Sequence, residues 1–313
     1  VSCSIVIVSW NTREALAECL ASVVADTATE VWVVDNASAD GSADMVRGRY
    51  PSVNLLVNDR NRGFAAACNQ ALAQANGRLL LLLNPDARPQ PGALRRLCAV
   101  LEERPEVGVV GGQLLARDGR PLRSYGAIPS VGAFLTEMVG LAGVPGLRRL
   151  LPAVAAAPRR RERPRSVGYT SGACLAFRRE LLDTVGMLDE RFFLYFEETD
   201  FCARVRQAGY LVWFEPAARV EHQGQASAAR LGQEAEAHYA RSAYAFIHKH
   251  RGARAARRLR AAFVVWLAAQ LVLHRLGTLA RRPGACAAHA RKRRLLELHR
   301  GIDPHACGWS WTG

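Results

Sequence analysis

Four clusters of polar side chains each sit at the end of an apolar run or the start of a helical one. Ser9-Trp10-Asn11 follows an apolar run. So do Asp35-Asn36-Ala37-Ser38-Ala39-Asp40-Gly41-Ser42 and Asn84-Pro85-Asp86, while Asn61-Arg62-Gly63-Phe64 opens a helical stretch. In an open parallel sheet, ligands bind beyond the carboxyl ends of the strands, and free amides at a helix start can face an anion. These clusters therefore suit a ligand at the sheet edge that carries an anionic group. Each also has a plain structural reading. The Asp35 cluster could be turn and N-cap chemistry, and Asn84-Pro85-Asp86 a loop leaving a strand. Their coincidence at one sheet edge weakens that reading for all of them. No Gly-x-Gly-x-x-Gly follows the first apolar run and no Gly-Lys-Ser/Thr occurs anywhere, which argues against a dinucleotide enzyme or a P-loop ATPase.

A second constellation, Glu197-Glu198-Thr199-Asp200, precedes a helical pattern. A carboxylate there could take a proton from a hydroxyl nucleophile, and burial beside Phe196 would raise its pKa. On a helix Glu198 and Asp200 point about 200° apart, so one of them is expected to be structural. Asp200 lies four residues before Arg204, the spacing of a surface ion pair. His222 is a single histidine after an apolar run, a position more often structural than ligating. Phe193, Tyr195 and Trp213 could stack on a ligand's apolar face, although core packing is the more usual role for each taken singly.

The elements that would position these residues read as an α/β series. Strands are expected at 4–8, 30–34, 53–57, 79–83 and 107–110, with helices at 13–24, about 63–75 and 92–103 between them. Residues 124–166, rich in Gly, Pro and Arg, lack periodicity and read as a flexible insertion. Regular pattern resumes with a strand at 169–177, a helix at 179–185, a helix at about 198–208 and a strand at 210–214. The expected organisation is a catalytic domain over 1–227, then a basic helical region over 228–313.

Of 313 residues half are hydrophobic, enough to bury a full core. The formal charge of +14 is unevenly placed. Residues 1–100 are balanced, whereas 251–313 hold 13 basic side chains against Glu297 and Asp303, and 159–165 form a second basic run. Such segments suit an anionic membrane surface, a lipid-linked diphosphate or nucleic acid, or are simply solvated charge. The tail interleaves arginine with Leu, Val and Trp and offers few stacking aromatics, which favours lipid over nucleic acid. Its apolar stretch, residues 261–273, is shorter than the roughly 20 residues that span a bilayer. An interfacial helix and a buried one both fit it. Eight scattered cysteines without a Cys-x-x-Cys pair read as small buried hydrophobes in a reducing compartment. With a strand-length opening run and no basic leader, the expected location is the cytoplasm, peripheral at the inner membrane face.

Taken together, Ser4-Ile-Val-Ile-Val-Ser-Trp-Asn11, Val33 to Ser42, Asn61 to Asn69, Leu80 to Asp86, Ser171-Gly-Ala-Cys174 and Phe192 to Arg204, followed by His222, resemble glycosyltransferase family 2 with the GT-A fold. Among its members the chain looks most like bacterial rhamnosyltransferases. The resemblance implies an α/β, Rossmann-like nucleotide-binding fold with a mostly parallel central sheet plus C-terminal helices. It also implies an inverting, metal-dependent transfer of a sugar from a dTDP- or UDP-linked donor to a glycan or lipid-linked acceptor. Asp35 would bond the pyrimidine base, with Ser9 and Asn11 in the same pocket, while Asn61, Gly63 and Asn69 shape the nucleotide-facing loop and helix. Asn84 and Asp86 stand where relatives carry Asp-x-Asp, so Asp86 would hold Mn²⁺ or Mg²⁺ and His222 could complete the metal shell. Asn84 replaces a carboxylate and Glu198 replaces the aspartate common at the catalytic base position. Ser171, Gly172, Ala173 and Glu197 would line the sugar and acceptor pocket. A nucleotidyltransferase, or a non-catalytic protein binding anionic surfaces through its tail, are the competing readings. The first normally has an early glycine-rich basic loop, and residues 9–20 contain Arg13 alone and no glycine.

Overall fold

The structure is a computed structural model that describes residues 3–24, 30–138, 163–223, 232–279 and 285–303, with the side chains of 137, 274–279 and 285–288 left aside. The chain forms two compact units, residues 1–128 with 157–235, and residues 129–156 with 236–313.

The first unit is built on β1 (Cys3–Ser9), α1 (Arg13–Val24), β2 (Glu30–Asp35), α2 (Ser42–Arg49), β3 (Asn54–Val57), α3 (Phe64–Leu72), β4 (Leu79–Leu83), β5 (Ala87–Pro89), α4 (Ala93–Glu103) and β6 (Val107–Leu115). A main sheet runs β3-β2-β1-β4, then β10 (Cys174–Arg178), β6, β11 (Leu211–His222) and β5, and β8 (Arg165–Val167) also pairs with β11. Pairings within β3-β2-β1-β4 and between β6 and β11 are parallel. β10 enters antiparallel between β4 and β6. A separate two-stranded sheet joins β7 (Tyr125–Gly126) to β9 (Tyr169–Thr170).

Strand β4 shows why this sheet holds. Its five consecutive leucines are all buried, Leu79, Leu81 and Leu83 in one core with α1 and α4, and Leu80 and Leu82 in the opposite core with α3. Side chains alternate across a strand, so an unbroken apolar run belongs to a sheet covered on both faces. Each such leucine contributes about 1.5–3 kcal/mol of apolar burial.

Several expected bounds shift. The strand at 107–110 continues to Leu115, and the one at 210–214 continues to His222 across an irregularity between Glu215 and Arg219. The expected strand over 169–177 is two strands, because 171–173 leaves the ladder between β9 and β10. Helix α2 and strand β5 lie where only turn and loop were expected. Part of the 124–166 segment is regular: it contains β7, α5 (Val131–Met138) and β8, and α5 belongs to the second unit. Residues 139–162, including most of the basic run at 159–165, lie outside the described residues.

Between β10 and β11 the first unit also carries α6 (Glu180–Val185) and α7 (Glu197–Gln207). The second unit comprises α5, most of α8 (Gln233–Arg251), α9 (Ala253–Leu279) and α10 (Ala285–Gly301). Its helices meet at a buried aromatic knot. Tyr244 Oη lies 2.6 Å from His299 Nδ1, and the His299 ring stacks on Phe263 at 4.8 Å. Arg260 Nε donates to the carbonyl of His299 at 2.9 Å. Burial lowers the His299 pKa to about 4, so the ring is neutral at neutral pH. No helix among the described residues is long and apolar enough to cross a membrane. Six cysteines among them are free, and all but Cys98 are buried.

Candidate active site

The carboxyl ends of β1 and β2 are in register, Ser9 opposite Asp35. The loops that leave them are stitched together by short polar side chains. Asn11, held at φ 53°, donates its amide to Ser38 Oγ at 2.9 Å, and its own Oδ1 accepts from the Ala39 amide at 2.7 Å. Asparagine tolerates this left-handed conformation better than most residues. Arg13 donates its amide to Asp40 at 2.9 Å, and Ser9 Oγ pairs with Thr12 Oγ1 at 2.9 Å. Within this frame Asp35 is 1% exposed. Its Oδ1 accepts from the Ser38 amide at 2.9 Å, while its buried Oδ2 has no hydrogen-bond partner among the described residues. A buried carboxylate oxygen left over in this way calls for a donor, and the imide N–H of uracil or thymine is one.

Sequence reasoning missed Asn36, which organises the next wall. Its Nδ2 donates to Asn61 Oδ1 at 2.8 Å, and its Oδ1 accepts from the Arg62 amide and from Asn58 at 3.0 Å each. Asn61 also accepts from the Gly63 amide at 3.0 Å. Gly63, at φ 82°, opens α3, and a Cβ there would come within 2.6 Å of the Phe193 ring and 2.7 Å of the Phe193 carbonyl. That carbonyl accepts the Phe64 amide at 2.8 Å, so the aromatic run 192–196 is docked on the start of α3. Asn69 is further along α3, and its amide is engaged by Leu188 and Glu190, making it a brace for the 188–190 loop.

The extended part of β11 forms the candidate metal corner. Pairing of His222 with Ala87 on β5 sets the imidazole beside Asp86. His222 Nε2 is 3.1 Å from Asp86 Oδ1 and 3.3 Å from Asn84 Nδ2, and Asp86 is buried. A spacing of 3.1 Å is close to the edge of an octahedron with bonds of about 2.1 Å, and a carboxylate with an imidazole suits Mn²⁺ better than Mg²⁺. The Asn84 amide can turn its oxygen inward as a third donor. Asp86 and His222 thus offer two donors, and Asn84 a third only with its amide turned; among the described residues no three His, Cys, Asp or Glu side chains group together, so phosphate oxygens or water would have to supply most of a divalent ion's shell.

Segment 171–173 links this corner to the acidic one. The Asn84 amide donates to the Ala173 carbonyl at 3.0 Å, and the Ala173 amide to Ser171 Oγ at 3.3 Å. A Cβ on Gly172 would touch the Glu198 side chain at 3.4 Å. Glu198 is the second residue of α7, which Glu197 begins after two successive left-handed residues, Tyr195 at φ 69° and Phe196 at φ 70°. Strain of this kind costs on the order of 1–3 kcal/mol per residue and recurs at functional sites. Burial raises the pKa of Glu198, offset in part by its own amide and by the Thr199 hydroxyl bond at 3.1 Å. Glu197 is 6% exposed, and burial followed by the neighbouring Glu198 charge pushes its pKa well above the carboxylate range. Its Oε2 has no hydrogen-bond partner among the described residues.

One expectation needs correction, and one pair of alternatives narrows to core packing. Asp200 pairs with Arg204 as the spacing predicts, but the pair is not on the surface. Asp200 is fully buried, Arg204 Nε donates to it at 2.8 Å, and the same guanidinium holds the Gly186 and Met187 carbonyls at 3.2 and 2.8 Å. Trp213 lies under Arg104, 3.7 Å from the ring centroid to the guanidinium carbon, and packs on the core beneath β11. It is therefore not a sugar platform.

The N-acetylglucosaminyl-diphospho-decaprenol L-rhamnosyltransferase of Mycobacterium tuberculosis is 30% identical over 243 residues, covering 74% of this chain and 78% of that protein. The mannosyltransferase PcManGT of Pyrobaculum calidifontis, solved with GDP-Man and Mn²⁺, shares the fold with a TM-score of 0.54 at 17% identity, covering 95% of this chain and 85% of that one. Residues 1–349 of Staphylococcus aureus TarS, solved with UDP, give 0.52 at 18% identity, covering 79% and 66%. The profile described as Glycosyl transferase family 2 matches residues 4–186, and the chain belongs to that family: it is a glycosyltransferase of the GT-A fold.

Proposed function

We propose that the protein inverts the anomeric centre of a nucleoside-diphosphate sugar while transferring it to a hydroxyl of a lipid-linked glycan in cell-envelope synthesis. Rhamnose on dTDP is the first donor to test, and the name of the mycobacterial relative supports both a rhamnosyl donor and a polyprenyl-diphosphate acceptor. Such an acceptor places the reaction at a membrane surface. The observation that supports the reading is the 171–173 segment, whose Gly172 leaves space for no more than a Cβ before the Glu198 side chain and whose Ala173 carbonyl accepts the backbone amide of Asn84 beside the Asp86–His222 pair.

In this reading Asp35 accepts the base N–H, and the loops stitched by Asn11 and Ser38 hold the nucleoside. Asp86 and His222 would hold a divalent ion, which when bound would supply positive charge for the departing diphosphate. Glu198 takes the acceptor hydroxyl proton as the oxygen attacks from the face opposite the diphosphate, and its raised pKa brings the base nearer to neutral pH. No covalent enzyme intermediate is required. Asp200 supports this geometry through Arg204 and the 185–187 loop.

The test is a donor screen with UDP-, dTDP- and GDP-sugars, read as release of nucleoside diphosphate with Mn²⁺ or Mg²⁺. One donor should turn over, and Asp86→Ala and Glu198→Gln should each fall about a hundredfold or more. Turnover that is indifferent to chelator and to both substitutions would overturn the assigned roles.

A further inference from the structure

The stripe of α9 turned away from its helical neighbours is built unlike any other exposed surface of the described residues. Leu259 and Leu267 are buried on one side of the helix, where Phe263 stacks on His299 of α10. On the other side Arg254, Arg258, Ala261, Val265, Ala269 and Val272 recur every three or four residues and are all exposed. Val265 is 67% exposed, and Val272 and its neighbour Leu273 are 61% exposed. No charged residue occurs between Arg260 and His274, so this stripe is wholly apolar over 261–273, about 20 Å of helix. Leaving large aliphatic side chains in water along one continuous line costs free energy unless something covers them.

We infer that this stripe is a docking face for an anionic phospholipid surface, on which α9 lies in the plane of the headgroups with Val265, Val272 and Leu273 inserted and Arg254 and Arg258 on lipid phosphates. The choice of occupant follows from charge. α9 contains five arginines and no Asp or Glu, and the exposed Arg254, Arg257 and Arg258 crowd the start of the apolar stripe. A protein groove would ordinarily present polar groups of both signs at its rim, whereas cations of one sign bordering an uninterrupted aliphatic line match a layer of phosphates over acyl chains. The line is too short to cross a bilayer, in keeping with a helix that rests in the interface. The inference rests on the proposed lipid-linked acceptor only for its purpose, since the face binds lipid whether or not transfer occurs.

Sedimentation of the whole protein with vesicles tests it. Binding to vesicles of equal phosphatidylglycerol and phosphatidylcholine should exceed binding to phosphatidylcholine alone by tenfold or more, and should weaken with salt. Val265→Glu/Val272→Glu should abolish it, and Arg254→Glu/Arg258→Glu should remove the preference for the anionic lipid. Thermal midpoint and donor hydrolysis, measured without vesicles, should stay at the wild-type value in both variants. Absence of vesicle binding overturns the inference, as does binding that survives the valine substitutions. A lowered midpoint in the valine variant overturns it too, by showing that the chain itself covers the stripe. Loss of donor turnover in the wild type with vesicle binding intact would instead strike the transferase reading alone.

Discussion

The sheet edge around Asp35 and Asp86 and the helical unit around Tyr244 and His299 use opposite means to stay ordered. At the sheet edge, order comes from side chains of Asn, Ser and Asp bonded to backbone amides one loop away, with acidic groups forced into burial at Glu197 and Glu198. In the helical unit it comes from a neutral aromatic knot and aliphatic packing. The first arrangement leaves acceptors unsatisfied and stores strain, which a substrate can relieve. The second is held by packing and shapes an outer surface. Their response to acid should also differ in sign. Raised carboxyl pKa values at Glu197 and Glu198 mean that the folded site holds protons more tightly than the unfolded chain, so it loses stability as pH rises from the ordinary glutamate range towards the folded values. His299, lowered to about 4, is stabilising as the neutral ring and loses that contribution as pH falls from 6.5 towards 4.

The largest effect should come from breaking the strained side at its base. Glu198→Gln should cut kcat about 10²–10⁴-fold while nucleoside-diphosphate affinity, measured by calorimetry, changes little. In the wild type the acid limb of kcat/KM should lie above the ordinary carboxylate range, because Glu198 must lose its proton to act. An acid limb at or below pH 4 would contradict that role. Next in size, Gly63→Val would drive a branched side chain into Phe193 at a left-handed φ, lowering stability by about 2–4 kcal/mol in chemical denaturation.

His299→Phe sharpens the contrast from the helical side. It should flatten the loss of stability between pH 6.5 and 4, a contribution on the order of 3 kcal/mol in the wild type, while donor hydrolysis persists. The smallest effect is expected from Glu197→Gln, which removes a buried acid with an unpaired oxygen. It should raise the thermal midpoint at neutral pH, by about 2–4 °C per kcal/mol recovered, and the gain should vanish as pH falls below the ordinary glutamate range. A gain equal at both pH values would place its cause in packing rather than charge.

Legibility in the sequence followed how local each cause was. The run of leucines at β4 announces a two-sided strand by itself, and the polar residues just beyond β1, β2 and β4 stand where the sheet needs them. Strand β5 and the far half of β11 could not be read the same way, since they exist through antiparallel pairing of residues more than a hundred positions apart and carry Pro89 and Pro216. The meeting of His222 with Asp86 depends on that pairing, and only the family resemblance hinted at it. Asn36 was hidden because its importance lies in three partners from one distant loop, not in its own surroundings. Helix α2 is short, mostly polar and contains Gly48, so its periodicity is faint. The Tyr244–His299 knot joins two helices 55 positions apart, with nothing in either segment to mark the match.

The three residues from Ser171 to Ala173 act as a gauge. Ala173 is fastened to the strand end that carries the Asp86–His222 pair, and a Cβ on the adjacent Gly172 would meet the Glu198 side chain, so in the proposed reaction this span would set how thick an acceptor fits between leaving group and base. Lengthening that span by one residue would change which hydroxyl comes within reach while the nucleotide pocket, wired separately through Asn11 and Asn36, kept its donor. On the proposed roles, linkage specificity would then drift independently of donor choice.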